Sequence, residues 1–186
     1  PGQEEWDIFI KEVKKEMTVK AGQKCTAVRR IFVPENKLED ISKALIKELS
    51  KTIIGNPLNE TVRMGSLAGE GQLLEVRTQV QKLLASSQII YGSPDSVQVI
   101  DADAKEGAFI SHVLLLNYLP FSAIEPHNVE AFGPVSTIMP YKNIEEAIEL
   151  SKMGKGSLCT SIVTANPTIA KQYVLGAATH HGRILV

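Results

Sequence analysis

The sequence has few cysteines, modest glycine and proline, almost no net charge and no long hydrophobic run. Two Cys among 186 residues cannot form a disulfide scaffold, so we expect a reducing, cytoplasmic compartment. Thirteen Gly and nine Pro are too few for a collagen or a low-complexity fibre. With 20 basic and 21 acidic residues, the chain has no electrostatic footprint for nucleic acid. Apolar runs such as Val113–Leu116 are far shorter than the roughly 20 residues of a membrane-spanning helix. We therefore expect neither nucleic acid nor a membrane as a partner.

What the chain does contain is the composition of a folded protein. Hydrophobic residues make up 44% of it and charged residues 22%, which excludes an intrinsically disordered chain. Its length fits one domain. It ends within a strand pattern at 183–186, and it begins with an amphipathic helical stripe. We therefore interpret the chain as a part of a larger protein. The stripe consists of Trp6, Phe9, Ile10, Val13 and Met17.

Short apolar strand patterns alternate along the chain with helical patterns. This alternation predicts an α/β fold, with a twisted, mainly parallel sheet flanked by helices on both faces. Residues 89–108 are polar and are expected to form a loop region. Strands are predicted at 28–33, 88–91, 112–118, 135–140, 157–164 and 183–186, and helices at 6–17, 38–53, 73–84, 144–153 and after Pro167.

A chemically distinctive segment surrounds the first cysteine. Gly22 and Gln23 lead into Cys25 between a predicted helix and a predicted strand. A turn there exposes the thiol and brings backbone N–H groups close to it, where they can stabilise an oxyanion. From these residues alone, two interpretations carry similar weight: a catalytic nucleophile, or a small buried apolar residue. Nearby basic residues favour the thiolate, which is the nucleophilic form: Lys20, Lys24, Arg29 and Arg30.

The other candidate residues give weaker signals. His180 or His181 could act as a base for the thiol, which would make the protein a cysteine hydrolase. Adjacent residues that enter a strand face opposite sides of it, so at most one of the two could serve. Cys159 lies in a strand pattern and is interpreted as buried packing. His112 and His127 have no partners at metal-ligand spacing, so we predict no metal site.

Two separated motifs resemble segments of one enzyme superfamily. Gly22-Gln23-Lys24-Cys25, followed by Arg29, resembles the nucleophile segment of the aldehyde dehydrogenases, and residues 130–135 (Glu-Ala-Phe-Gly-Pro-Val) resemble their Glu-x-Phe-Gly-Pro-Val segment. Segments 55–58 and 64–67 stand between them in the order that this family shows. The longer string 15–27 is similar to one branch, the dehydrogenase part of the bifunctional ring-opening enzyme of bacterial phenylacetate degradation.

This resemblance implies a role for each matched residue. Cys25 is implied to be the nucleophile that forms a thiohemiacetal and then a thioester, with its own backbone N–H as part of the oxyanion hole. Glu130 is implied to bind the nicotinamide ribose, and Phe132 to lie against the nicotinamide ring. The implied cofactor is NADP or NAD, with NADP favoured. The implied substrate is an aldehyde, which in that branch is a ring-opened semialdehyde linked to CoA.

The resemblance also implies what residues 1–186 leave out. In the family, the general-base Glu, the oxyanion-hole Asn and most cofactor-binding residues precede the nucleophile, and an oligomerisation strand follows. We therefore expect 1–186 to be a single catalytic subdomain of a larger, homo-oligomeric enzyme, inactive by itself. Two alternatives stay open from the sequence, namely a cysteine-nucleophile thioester hydrolase and a non-catalytic interaction fragment.

Overall fold

Strands and helices alternate along the chain in the computed structural model, which describes residues 2–186. The prediction of an α/β fold is confirmed. The strands are β1 (Arg30–Pro34), β2 (Gln88–Tyr91), β3 (Val113–Leu116), β4 (Val135–Tyr141), β5 (Ser157–Ser161) and β6 (His181–Leu185). The helices are α1 (Gln3–Thr18), α2 (Leu38–Leu49), α3 (Glu70–Leu83), α4 (Glu125–Asn128), α5 (Ile144–Lys152) and α6 (Pro167–Ala177).

The main sheet has four strands in the order β1-β4-β3-β2. Strand β4 pairs in parallel with both β1 and β3, and only β2 runs antiparallel to its neighbour. All four residues of β3 are buried, as expected for a strand covered on both faces. The sheet is therefore mostly parallel, as the alternation of elements predicted.

Helices cover both faces of this sheet. On one face, α1 and α2 pack on Ile31, Leu114 and Ile138. On the other face, α3 packs on Val113 and Leu115. Because side chains alternate along a strand, consecutive residues of β3 enter two different cores. The helical residues in these cores recur at amphipathic spacing: Ile10, Val13, Met17, Ile41, Leu45 and Leu49 on the first face, and Leu73, Val76, Val80 and Leu83 on the second.

The last two strands do not join the main sheet. Strands β5 and β6 pair in parallel with each other as a separate two-stranded sheet. The sequence predicted one sheet, and this part of the prediction was wrong. Strand β5 is only partly buried, because its small core consists of a few residues from α5 and α6, among them Ile148, Tyr173 and Ala177.

Two elements begin or end at residues other than those predicted. The pattern 38–53 predicted a helix through Ile53, but α2 ends at Leu49 and Ile53 is 40% exposed. Strand β1 begins at Arg30 rather than at Val28, because the carbonyl of Val28 accepts a hydrogen bond from the Ser136 hydroxyl at 2.7 Å. No helix within residues 2–186 is long and apolar enough to cross a bilayer.

Candidate functional site

Cys25 lies on an exposed turn between α1 and β1. The chain leaves α1 through a 3₁₀ turn in which Lys20, Ala21 and Gly22 all have positive φ, at 55°, 51° and 69°. The amide of Lys24 then donates to the Gly22 carbonyl at 2.9 Å. Cys25 is exposed, so the interpretation of this thiol as a buried packing residue is excluded.

The backbone of Gly22 lies directly against the segment 130–135. A Cβ atom added at Gly22 would be 2.8 Å from the nitrogen of Pro134 and even closer to the carbonyl oxygen of Gly133. Real Cβ atoms do not approach backbone atoms so closely, so only glycine fits here. This contact joins the two motifs although about a hundred residues separate them in the sequence.

Helix α3 supports the second motif from its other side. The side-chain amide of Gln72 donates to the Phe132 carbonyl at 2.9 Å. A Cβ added at Gly133 would lie 2.8 Å from a methyl group of Val76. Glu130 and Phe132 are themselves exposed, so a carboxylate and an aromatic ring are available on this loop. Sequence reasoning missed Gln72, because nothing in its helical position signals a contact with a loop 60 residues away.

The segment 64–67, together with the adjoining Ala68, also lies against the nucleophile loop. The side-chain oxygen of Gln23 accepts a hydrogen bond from the Ala68 amide at 3.0 Å. A cavity of about 350 Å³ opens between the two segments. Its lining includes Lys20, Gln23, Arg63 and Leu67. Three of the segments on which the family resemblance rests are therefore neighbours in space.

Two of the four basic residues near Cys25 have other partners. Lys24 forms an ion pair with Glu16 at 2.7 Å. The guanidinium of Arg30 donates to the carbonyls of Leu150 and Ser151, at 3.0 and 3.1 Å. The expectation that all four cations surround the thiol is therefore corrected. Lys20 and Arg29 form no ion pair within residues 2–186.

The histidine base of a cysteine hydrolase is not found at the thiol. The Cys25 Sγ makes no hydrogen bond to any histidine in the described part of the chain. His181 Nδ1 lies 2.9 Å from the carbonyl of Ala177, and His180 Nδ1 lies 2.8 Å from the hydroxyl of Thr179. Both histidines are therefore engaged by neighbours in sequence.

Cys159 is half-buried rather than fully packed in a core. Its thiol donates to the carbonyl of Thr26 at 3.8 Å, next to the candidate nucleophile. The interpretation of Cys159 as a buried residue is corrected to this extent, because β5 lies in the smaller, more open sheet. His112 and His127 are both buried. Within residues 2–186, no group of three His, Cys, Asp or Glu is arranged to hold a metal ion.

Comparison with known proteins identifies relatives over the whole chain. Residues 4–179 match the aldehyde dehydrogenase family. The chain is 36% identical over all 186 residues to 3,4-dehydroadipyl-CoA semialdehyde dehydrogenase of Aromatoleum evansii, and covers 36% of that protein. It is 38% identical over 125 residues, which are 66% of the chain, to protein MaoC of Klebsiella aerogenes and covers 35% of it. The chain thus spans about a third of these relatives.

Solved structures show the same fold. Betaine aldehyde dehydrogenase of Staphylococcus aureus, in complex with NAD+, superimposes with a TM-score of 0.86 at 20% identity. The match covers 97% of the present chain and 35% of that one. An NAD-dependent aldehyde dehydrogenase of Sinorhizobium meliloti gives 0.85 at 21% identity, with coverage of 97% and 34%. At this level of identity the match concerns the fold.

Proposed function

Because the chain belongs to the aldehyde dehydrogenase family, we propose that it is the nucleophile-bearing part of an NAD(P)-dependent aldehyde dehydrogenase. One observation carries this proposal above the others. The close backbone contact between Gly22 and Gly133 places the Cys25 loop beside the loop of Glu130 and Phe132. A thiol nucleophile and groups suited to a nicotinamide nucleotide therefore share one region of the surface.

The chemistry proposed for Cys25 is covalent. Its thiolate attacks the aldehyde carbon, so that a C–S bond forms and the carbonyl oxygen becomes an alkoxide. The backbone N–H of Cys25 contributes to stabilising this alkoxide. A bound nicotinamide would supply the hydride acceptor, and departure of the hydride from the former aldehyde carbon would leave a thioester on Cys25. Water then cleaves the thioester, releasing the acid and restoring the thiol.

Glu130 and Phe132 suit the proposed cofactor by chemistry and by exposure. An ionised carboxylate is an acceptor only and matches the hydroxyl groups of a ribose. An aromatic side chain offers a flat apolar face to the nicotinamide ring. Gly22 leaves no Cβ between the two loops, so the loop of Cys25 and the loop of Glu130 and Phe132 are in direct backbone contact. We propose Glu130 and Phe132 as cofactor contacts, with NADP favoured over NAD.

The proposed substrate is an aldehyde carried on CoA. The support is the relative from Aromatoleum evansii, whose name specifies a CoA semialdehyde and which matches the whole of the present chain. Since the chain covers 36% of that relative, we propose that 1–186 is a single catalytic subdomain and that the isolated chain does not turn over. From the family resemblance, we propose that the complete enzyme is a homo-oligomer.

A comparison of the two cysteines tests the proposed activity. In a complete enzyme carrying this chain, we expect Cys25→Ala to abolish reduction of NADP or NAD by an aldehyde panel that includes a CoA semialdehyde. Cys159→Ala is the matched control, because Cys159 is half-buried in the small sheet, and it should retain reduction. The readout is nicotinamide absorbance. Equal loss in the two variants, or reduction that survives Cys25→Ala, would refute the assignment.

A further inference from the structure

Arg30 is a half-buried cation without a carboxylate partner. It is the first residue of β1, five positions after Cys25. Its Nη1 donates to the Leu150 carbonyl at 3.0 Å, and its Nη2 donates to the Ser151 carbonyl at 3.1 Å and to the Ser157 hydroxyl at 3.2 Å. Within residues 2–186, no Asp or Glu forms an ion pair with it.

Such a group is costly to hold in the interior. Burial, and to a smaller extent the charge of Arg29, lowers the pKa of the Arg30 guanidinium to about 10. The carbonyls of Leu150 and Ser151 belong to the last turn of α5, where the helix dipole is negative and favours a cation. A Cβ at Gly154 would collide with Nη2, so the loop after α5 closes over the guanidinium. The surroundings are therefore fitted to this one side chain.

The fourth partner of Arg30 lies just before the candidate cofactor loop. Its Nη1 is 3.1 Å from Nδ1 of His127, in α4. Arginine has no acceptor, so Nδ1 must accept, and the proton of the neutral imidazole is on Nε2. Nε2 then donates to the Pro120 carbonyl, 2.8 Å away. Burial, aided by the Arg30 charge, lowers the pKa of His127 and favours this neutral form.

These contacts tie the cofactor loop to the nucleophile strand at both of its ends. At the end that enters β4, the Thr137 amide donates to the Arg29 carbonyl at 2.8 Å. At the other end, α4 is held through the bond between Arg30 and His127. Glu130 and Phe132 lie between these two ties. The side chain of Arg30 therefore links β1 to α4, at the N-terminal end of this loop.

We propose that Arg30 is a positioning residue, which acts through His127 to fix the loop of Glu130 and Phe132 relative to Cys25. It touches neither substrate nor cofactor. The inference rests on the proposed function, since its consequence is the placement of the nicotinamide beside the thiol. Arg30→Met removes the donors but keeps much of the apolar volume, and Arg30→Lys keeps the charge with a single nitrogen.

A double-mutant cycle in a complete enzyme tests this role. We expect Arg30→Met to raise the KM for the nicotinamide nucleotide roughly tenfold or more, and Arg30→Lys to restore part of the loss. His127→Phe should raise the same KM, and the pair of changes together should do no more than the larger single change. Arg183→Met, at an exposed arginine of β6, should leave KM unchanged. Additive effects, or a fall in kcat at unchanged KM, would overturn the proposal.

A second measurement needs no activity and no variant. Nitrogen NMR of the 186-residue chain should show His127 as the neutral tautomer with its proton on Nε2. A proton on Nδ1 would mean that Arg30 does not donate to it, and the proposal would fail. The tautomer of His127 does not depend on catalysis. If the wild-type enzyme reduced no nicotinamide, the proposed function would be refuted, and the NMR measurement would still show whether Arg30 donates to His127.

Discussion

At the scale of single residues, Gly22 is where the two candidate loops come closest. Its φ of 69° lies in the left-handed region, and a side chain there would strike the backbone of Gly133. We expect Gly22→Ala to lower the free energy of unfolding by about 2–4 kcal/mol, the combined cost of left-handed strain and overpacking. Nicotinamide reduction should fall with it, because the loops must separate.

The control for this prediction is a glycine with open space around it. Gly71 lies in the first turn of α3 and has no atom within 4 Å of a built Cβ, so Gly71→Ala should be neutral or should stabilise by up to about 1 kcal/mol. Urea denaturation of the two variants measures both effects. If the two alanines had the same effect on unfolding, the close approach of the loops would be disproved.

The exposure and orientation of the residues near the candidate site could be predicted from the sequence only in part. Cys25 sits in a segment with one glycine and several basic residues, and this pattern left an exposed nucleophile and a buried packing residue equally open until the structure showed the thiol to be exposed. Arg30 was expected to add positive charge near the thiol, but it points into the interior. No pattern in one sequence reveals that inward orientation, because its acceptors are backbone carbonyls more than a hundred residues away. Such contacts depend on tertiary packing and not on residue type.

At the scale of elements, α3 supports the loop that holds Phe132. We expect Gln72→Ala to change the free energy of unfolding by less than about 1 kcal/mol, since one exposed hydrogen bond is lost. The KM for the nicotinamide nucleotide should nevertheless rise several-fold, because the Phe132 carbonyl loses its donor. Gln79→Ala removes only a bond within the same helix and should leave KM unaltered. Steady-state kinetics would refute this role of α3 if the two variants had equal KM values.

Periodicity predicted the helices and strands better than it predicted their assembly. The strands of the main sheet are short apolar runs, and their patterns identified them. An apolar run does not show which other strand it pairs with, so the separation of β5 and β6 into a second sheet was missed. The residues 89–108 were expected to form a loop, and beyond the end of β2 they contain no strand. The Ile100 amide and carbonyl instead pair with Ile54 and Asn56 at 3.0 Å.

At the scale of the whole molecule, a buried histidine makes stability depend on pH. His112 is 2% exposed, and burial, with a smaller contribution from Lys14, lowers its pKa from 6.5 to about 4. The unfolded chain therefore binds a proton more readily than the folded one. The contribution of neutral His112 to the free energy of unfolding is fully present above pH 6.5. It is lost as the pH falls toward 4, and the loss amounts to about 3 kcal/mol in total.

Denaturation curves at several pH values measure this dependence. The free energy of unfolding should decrease between pH 7 and pH 4 in the wild-type chain, and a large part of that decrease should be absent in His112→Gln. The slope arises because the unfolded state carries more protons across this interval. An unchanged slope in His112→Gln would show that the buried imidazole is not its source.

If this chain carries the nucleophile of an aldehyde dehydrogenase, Cys25 must form an acyl-enzyme with the substrate, and that intermediate can be trapped. A complete enzyme carrying the chain would be mixed with a CoA semialdehyde and NADP, quenched in acid within one turnover and digested for mass spectrometry. We predict that the acyl group is found on the peptide containing Cys25, together with an equivalent amount of NADPH. Acylation of the Cys159 peptide instead, or acylation of Cys25 without NADPH, would show that Cys25 is not the nucleophile of a dehydrogenase.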